Sequence, residues 1–372
     1  MKILTKLFLA AMISVMAMAA VASSIDGPNP LHNCPIRDLA LIYQGGTHRI
    51  DWNEDEIEPY VTHTFADGHE DWLFDGFLFL EFKDGRGVQY SPGYDSINAT
   101  RADWEFYLDR LFERGKALDA LDKVIEKKKV TLGAPPFRHK VVLTVFVPLK
   151  TNGERGKTQN GFCTLPQQRP WGSIGSRALD LDCRQDQILA AQWFIDQLIN
   201  RFAANGYKNL DLDALYWIDE DMVWTDDFPK AITDYIHGKG LRFIWIPYYD
   251  APGHERWREL GFDIAYQQPN HFFDKSIPDS RLYQAVDTAR TYGMGLELEC
   301  DERAQSQIPD SWYDRMVAYV DAFEKTGSFA HTPMAYYTGY HLLLEFLRHP
   351  TPENRQLMDR LATLIISRRP RQ

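Results

Sequence analysis

Two stretches of this 372-residue sequence end in clustered acids: Tyr216-Trp217-Ile218-Asp219-Glu220-Asp221 and Leu296-Glu297-Leu298-Glu299-Cys300-Asp301. In an extended strand the second stretch puts Glu297, Glu299 and Asp301 on one face and Leu296, Leu298 and Cys300 on the other. The apolar face suits a covering layer of helices, so the acids are expected to point inward. A carboxylate turned into a protein costs free energy unless it is paired, so strand-end acids need a reason. Glycosidic bond hydrolysis supplies one. One carboxyl, kept protonated, gives its proton to the leaving oxygen, while a second attacks the sugar or activates water. The competing structural reading is that Glu297 and Glu299 pair with Lys150 or with arginines inside the fold.

Other apolar runs end in groups suited to sugar. Tyr43 and Gln44, Glu81, Tyr248-Tyr249-Asp250, Gln267-Gln268-Pro269-Asn270-His271 and Tyr336-Tyr337 all stand at such ends. Aromatic faces pack on the C–H faces of pyranose rings, and amides and carboxylates bind hydroxyls. The candidate substrate-binding residues are therefore Tyr43, Trp217, Tyr248, Tyr249, Asp250, Gln268, Asn270, His271, Asp301 and Tyr337. No metal or cofactor is expected. His254-Glu255-Arg256-Trp257-Arg258 lacks the second histidine of a zincin helix, and Trp171-Gly172-Ser173-Ile174-Gly175 lacks the leading glycine of a nucleophile elbow. Only His271 with Asp250 or Asp301 offers a speculative ligand set for a metal-dependent enzyme.

The elements that must position these residues are legible as alternation. Eight short apolar runs, at 39–44, 72–82, 140–149, 210–218, 241–249, 263–267, 293–299 and 333–337, read as strands. Amphipathic segments at 103–129, 185–205, 227–237, 280–292, 311–325 and 352–367 read as helices, while 51–63, with Pro59, reads as a short helix or a turn. Eight strands alternating with helices predict a single (β/α)8 barrel, whose chemistry belongs at the C-terminal ends of its strands. A doubly wound open sheet is the alternative, but no Gly-x-Gly-x-x-Gly turn follows the first strand. The surplus length, at 83–101 and 151–182, forms long loops on the same face as the acids.

Composition limits the partners. The chain carries a net charge of −11, which disfavours sequence-independent binding to nucleic acid or anionic membrane. Lys2 and Lys6, the apolar run Leu7 to Val21 and the small residues Ala20-Val21-Ala22 read as a signal peptide over residues 1–22. The expected mature chain is then one barrel domain, residues 23–372, secreted or periplasmic. Such a compartment permits disulfides, and Cys163 with Cys183 is the favoured pair of the four cysteines.

Several runs also carry a resemblance. Trp245-Ile246-Pro247-Tyr248-Tyr249-Asp250-Ala251-Pro252-Gly253, Trp257, Leu260-Gly261-Phe262-Asp263, Ala265, Gln268-Pro269-Asn270, Phe273 and Glu297-Leu298-Glu299 resemble the bacterial domain-of-unknown-function family 4855. Asp75-Gly76-Phe77 and Tyr216-Trp217-x-x-Glu220 add to it. The family is similar in layout to barrel glycosidases whose acid/base ends the fourth strand and whose nucleophile ends the seventh. That layout implies Glu220 as acid/base and Glu299 or Glu297 as nucleophile. Glu299 is preferred, because two further residues of strand carry it about 7 Å nearer the mouth. The expected function is a glycoside hydrolase acting on carbohydrate, by a retaining two-carboxylate mechanism if the two carboxyl groups stand about 5 to 5.5 Å apart and an inverting one at about 6.5 to 9.5 Å. The alternative is a non-catalytic glycan-binding barrel, in which Glu220 would lie far from both acids or Glu299 would be locked to a cation.

Overall fold

The computed structural model describes residues 34–150 and 169–368. Eight parallel strands pair in sequence order and close on themselves: β1 (Asp38–Tyr43), β2 (Gly76–Leu80), β3 (His139–Val145), β4 (Leu210–Trp217), β5 (Arg242–Trp245), β6 (Ile264–Gln267), β7 (Gly295–Cys300) and β8 (Met334–Thr338). Pairing of β1 with β8, from Asp38 opposite Met334 to Ala40 opposite Tyr336, completes the barrel and excludes the open sheet. All eight expected strands are present. Most of their residues are buried, as expected for parallel strands packed on both faces.

Helices α1 (Glu54–Val61), α2 (Arg101–Leu111), α3 (Ala117–Leu132), α4 (Arg184–Asn205), α5 (Phe228–Gly238), α6 (Ser280–Tyr292), α7 (Tyr313–Lys325), α8 (Leu342–Arg348) and α9 (Pro352–Ser367) surround it. One expectation fails in detail: the single helix predicted over 103–129 is two. Gly115 adopts φ +84°, and the Ala117 amide donates to the Trp52 carbonyl at 2.7 Å, so the chain turns and docks between them. Helix ends follow local chemistry. Thr100 and Asp103 form a reciprocal capping box at α2, and Gly293, at φ 63°, closes α6 just before β7.

The N-terminal end of the barrel is sealed by a buried charge network. Arg368, just past α9, lies 3.0 Å from the Asp38 carboxylate, which also accepts from the Tyr336 hydroxyl at 2.6 Å. Asp75 accepts the Arg37 and Asp38 amides at 3.0 and 2.9 Å. Burial and the neighbouring Asp38 raise the Asp75 carboxyl to about 7. This network fixes the bottom and leaves the opposite end open for chemistry.

Cys34 and Cys300 are buried free thiols, and Cys183 is exposed. Cys163, its expected partner, and residues 1–22, the expected leader, lie outside the described residues. No helix among the described residues is long and apolar enough to cross a membrane.

Candidate active site

A cavity of about 680 Å³ opens where the strands end, and Glu220, Glu297 and Glu299 all line it. Glu299 is only 2% exposed and Glu297 3%, whereas Glu220 stands half-buried just beyond β4. No lysine, arginine or histidine among the described residues forms an ion pair with any of the three. The competing pairing with Lys150 or lumen arginines is therefore not what the structure shows. Arg49, which reaches the cavity, is committed to Glu81 at 2.6 and 3.0 Å.

Donors hold two of the acids. The Gln268 amide donates to Glu220 Oε1 at 2.7 Å, and the Tyr94 hydroxyl donates to Glu220 Oε2. Glu299 accepts from the Asn270 backbone amide at 2.6 Å and the Tyr319 hydroxyl at 2.7 Å, with the Asn270 side-chain amide at 3.4 Å. Asn270 also donates to Gln268 Oε1 at 3.1 Å, so one continuous hydrogen-bonded chain runs from Tyr94 through Glu220, Gln268, Asn270 and Glu299 to Tyr319. Glu297 stands outside it and makes no hydrogen bond among the described residues.

Local sequence explains the positions. Asn270 sits at φ +48°, a left-handed conformation that asparagine tolerates better than most residues. Its Oδ1 accepts the Tyr249 amide at 2.6 Å, so the backbone amide and both side-chain polar atoms of this hub are engaged. Tyr94 comes from the loop after β2. That loop is braced by Asp84, which accepts the Arg86 and Val88 amides at 2.7 and 3.0 Å, and by Gln89, which accepts the Gly93 amide at 3.0 Å. The Tyr94 ring stacks on Phe82 at 4.1 Å, which aims its hydroxyl at Glu220.

Electrostatics follow burial. Desolvation raises the Glu220 carboxyl above its ordinary range; the Tyr94 and Gln268 donors oppose that shift, and Asp221 adds to it. Burial pushes Glu299 up to about 7, against the pull of Tyr319 and Asn270 and with a contribution from the Glu220 charge. Glu297 rises further, from burial and from the charges of Glu299 and Glu220.

Of the expected binding residues, Tyr43, Tyr249, Gln268, Asn270 and Tyr337 line the cavity. Five do not. Trp217 is fully buried on the helix side, stacked on Phe228 at 5.6 Å, and Tyr216 lines the cavity in its place. The Tyr248 hydroxyl turns to Asp221 at 3.1 Å. Asp250 is exposed in a turn at φ +57°. His271 is buried between Tyr319 and Asp279. Asp301 begins a 3₁₀ turn beyond the strand and binds Arg303 at 2.6 Å, so the alternation that aims Glu297 and Glu299 inward stops before it. His271, Asp250 and Asp301 thus face different neighbours, and no group of three or more metal-ligating side chains gathers among the described residues. Tyr94 and Tyr319 were not identifiable from spacing, because a loop and an outer helix deliver them from far away in sequence.

The fold and site define a (β/α)8 barrel with an acidic, aromatic-lined cavity at its C-terminal mouth. Residues 38–363 match the family model "Domain of unknown function (DUF4855)", and the chain belongs to that family. No curated protein matches the sequence significantly. Solved structures similar in fold include a mutant tryptophan synthase α-subunit from Pyrococcus furiosus, with 7% identity, TM-score 0.36, and 88% of this chain and 97% of that one covered. A protein from Bacteroides thetaiotaomicron provisionally assigned as an α-L-fucosidase gives 12%, 0.41, 91% and 97%. An intracellular xylanase from Thermoanaerobacterium saccharolyticum gives 9%, 0.40, 86% and 90%. Such distant likenesses span unrelated chemistries and do not discriminate among reactions.

Proposed function

We propose that this protein is a secreted glycoside hydrolase that cleaves its glycan by a retaining two-carboxylate mechanism. The observation that carries the reading is a pair of cavity-lining carboxyls, from the ends of β4 and β7, oriented by hydrogen-bond donors and in no ion pair among the described residues. In this reading Glu220, whose carboxyl is raised by burial, protonates the glycosidic oxygen. Glu299, held by three donors, attacks the anomeric carbon as its bond to that oxygen breaks, giving a glycosyl-enzyme. Glu220 then takes a proton from water, which displaces the sugar from Glu299. Tyr43, Tyr249 and Tyr337 offer ring faces for the sugar, and Gln268 and Asn270 fix the distance between the acids. A carboxyl separation of about 5 to 5.5 Å in a sugar complex belongs to retention, and about 6.5 to 9.5 Å to inversion.

The absence of an ion pair to Glu299 among the described residues favours this reading over a non-catalytic glycan-binding barrel, which has no need of two oriented, uncompensated acids. Secretion rests on the signal peptide expected over residues 1–22. The test is reducing-sugar release from a panel of polysaccharides by the purified protein. Release from at least one is expected, and binding without release throughout would return the glycan-binding reading.

A further inference from the structure

Glu297 has no task in the two-carboxylate scheme, yet it is 3% exposed, lines the cavity and makes no hydrogen bond or ion pair among the described residues. It lies two residues before Glu299 on the same face of β7, about 7 Å deeper in the barrel. The ionisable groups that face it come from several elements: Glu299 on its own strand, Glu220 beyond β4, Tyr43 on β1, Tyr216 on β4 and Tyr319 on α7. None is a cation. Glu220 and Glu299 receive donors that favour their ionised forms, and Glu297 receives none.

An ionised carboxylate in such a place would be buried, undonated and close to two acids, which costs far more than holding a proton. We propose that Glu297 is a neutral carboxylic acid at the cavity floor, and that its O–H recognises a hydroxyl oxygen of an uncharged sugar in the innermost subsite. Burial together with the charges of Glu299 and Glu220 pushes its carboxyl well above the usual range, in the same direction. The sugar part of this assignment rests on the glycoside hydrolase reading; the proton does not. A neutral floor discriminates. At the floor a uronate or sulfate would bring another negative charge beside Glu297, Glu299 and Glu220, none of which is ion-paired among the described residues; of the cations that line the same cavity with Lys83, Arg49 is bound to Glu81 and Arg281 lies over the Tyr249 ring. An ammonium sugar would require Glu297 to ionise.

Infrared difference spectroscopy of the wild type against Glu297→Gln at pH 7 reads the proton without any substrate. Loss of a protonated-carboxyl C=O band in the variant is expected, and an unchanged band pattern overturns the proposal. Calorimetry on Glu220→Gln, which stops turnover, then reads the sugar with cellotriose, the glucosamine trimer and trigalacturonate as probes. Cellotriose is expected to bind best, to weaken by about tenfold when Glu297→Leu is added, and to be largely restored by Glu297→Gln, which keeps a donor. Tightest binding of the glucosamine trimer with proton release overturns the neutral floor. Binding of none of the three, with the infrared band present, overturns the sugar assignment together with the hydrolase reading and leaves the protonated Glu297 standing.

Discussion

Replacing Glu299 by glutamine removes a charge that the fold accommodates at a cost, so its effect on stability has a definite sign. The carboxyl rises from an ordinary 4.5 to about 7 on folding, chiefly through burial. A raised pKa means the folded state binds the proton more tightly than the unfolded state. The associated stability is complete below about pH 4.5 and is lost as pH rises through about 7. The shift amounts to about 3 kcal/mol, of which roughly 2 to 3 kcal/mol is lost between pH 5 and pH 8. Glutamine does not titrate, but its amide would face the Asn270 side-chain amide, now 3.4 Å from Oε1, at a cost of about 1 kcal/mol. Urea unfolding should therefore find Glu299→Gln about 2 kcal/mol more stable than wild type at pH 8 and nearly equal at pH 5. A difference between the two proteins that is the same at both pH values would refute the assignment of a buried carboxyl whose pKa is raised on folding to this position.

Other perturbations have equally specific outcomes. Tyr94→Phe removes a donor that favours ionised Glu220, so the carboxyl rises and the alkaline limb of kcat/KM should move upward by about one pH unit, read from a pH–rate profile. Arg368→Met leaves Asp38 buried without its cation and should cost about 3 to 5 kcal/mol in chemical denaturation. Gly295→Ala would put a Cβ 2.5 Å from the Tyr266 ring and 2.7 Å from the Pro333 carbonyl, with an expected loss of about 1 to 3 kcal/mol by the same measurement.

The strands and the acids were legible in the sequence for the same reason: both obey a period set by backbone geometry. Leu296-Glu297-Leu298-Glu299 alternates, so the inward face of β7 follows from it. In Ala214-Leu215-Tyr216-Trp217 every residue is buried, and no alternation tells Tyr216, which lines the cavity, from Trp217, which packs on Phe228. Asp301 directly follows β7, and Asp250 lies in the loop beyond Trp245, the last residue of β5, where turn geometry replaces strand parity. Tyr94 and Tyr319 reach the acids only through tertiary structure, one on a loop braced by Asp84 and Gln89 and the other on α7. The split of the predicted helix over 103–129 at Gly115 has the same character, because docking of Ala117 on Trp52 decides it.

The central claim is that Glu220 and Glu299 together break a glycosidic bond. Its most direct test is reducing-sugar release, from whichever polysaccharide the wild type cleaves, by Glu220→Gln and Glu299→Gln proteins shown to be folded. Turnover should be abolished in both variants, and full activity in either one would contradict the account.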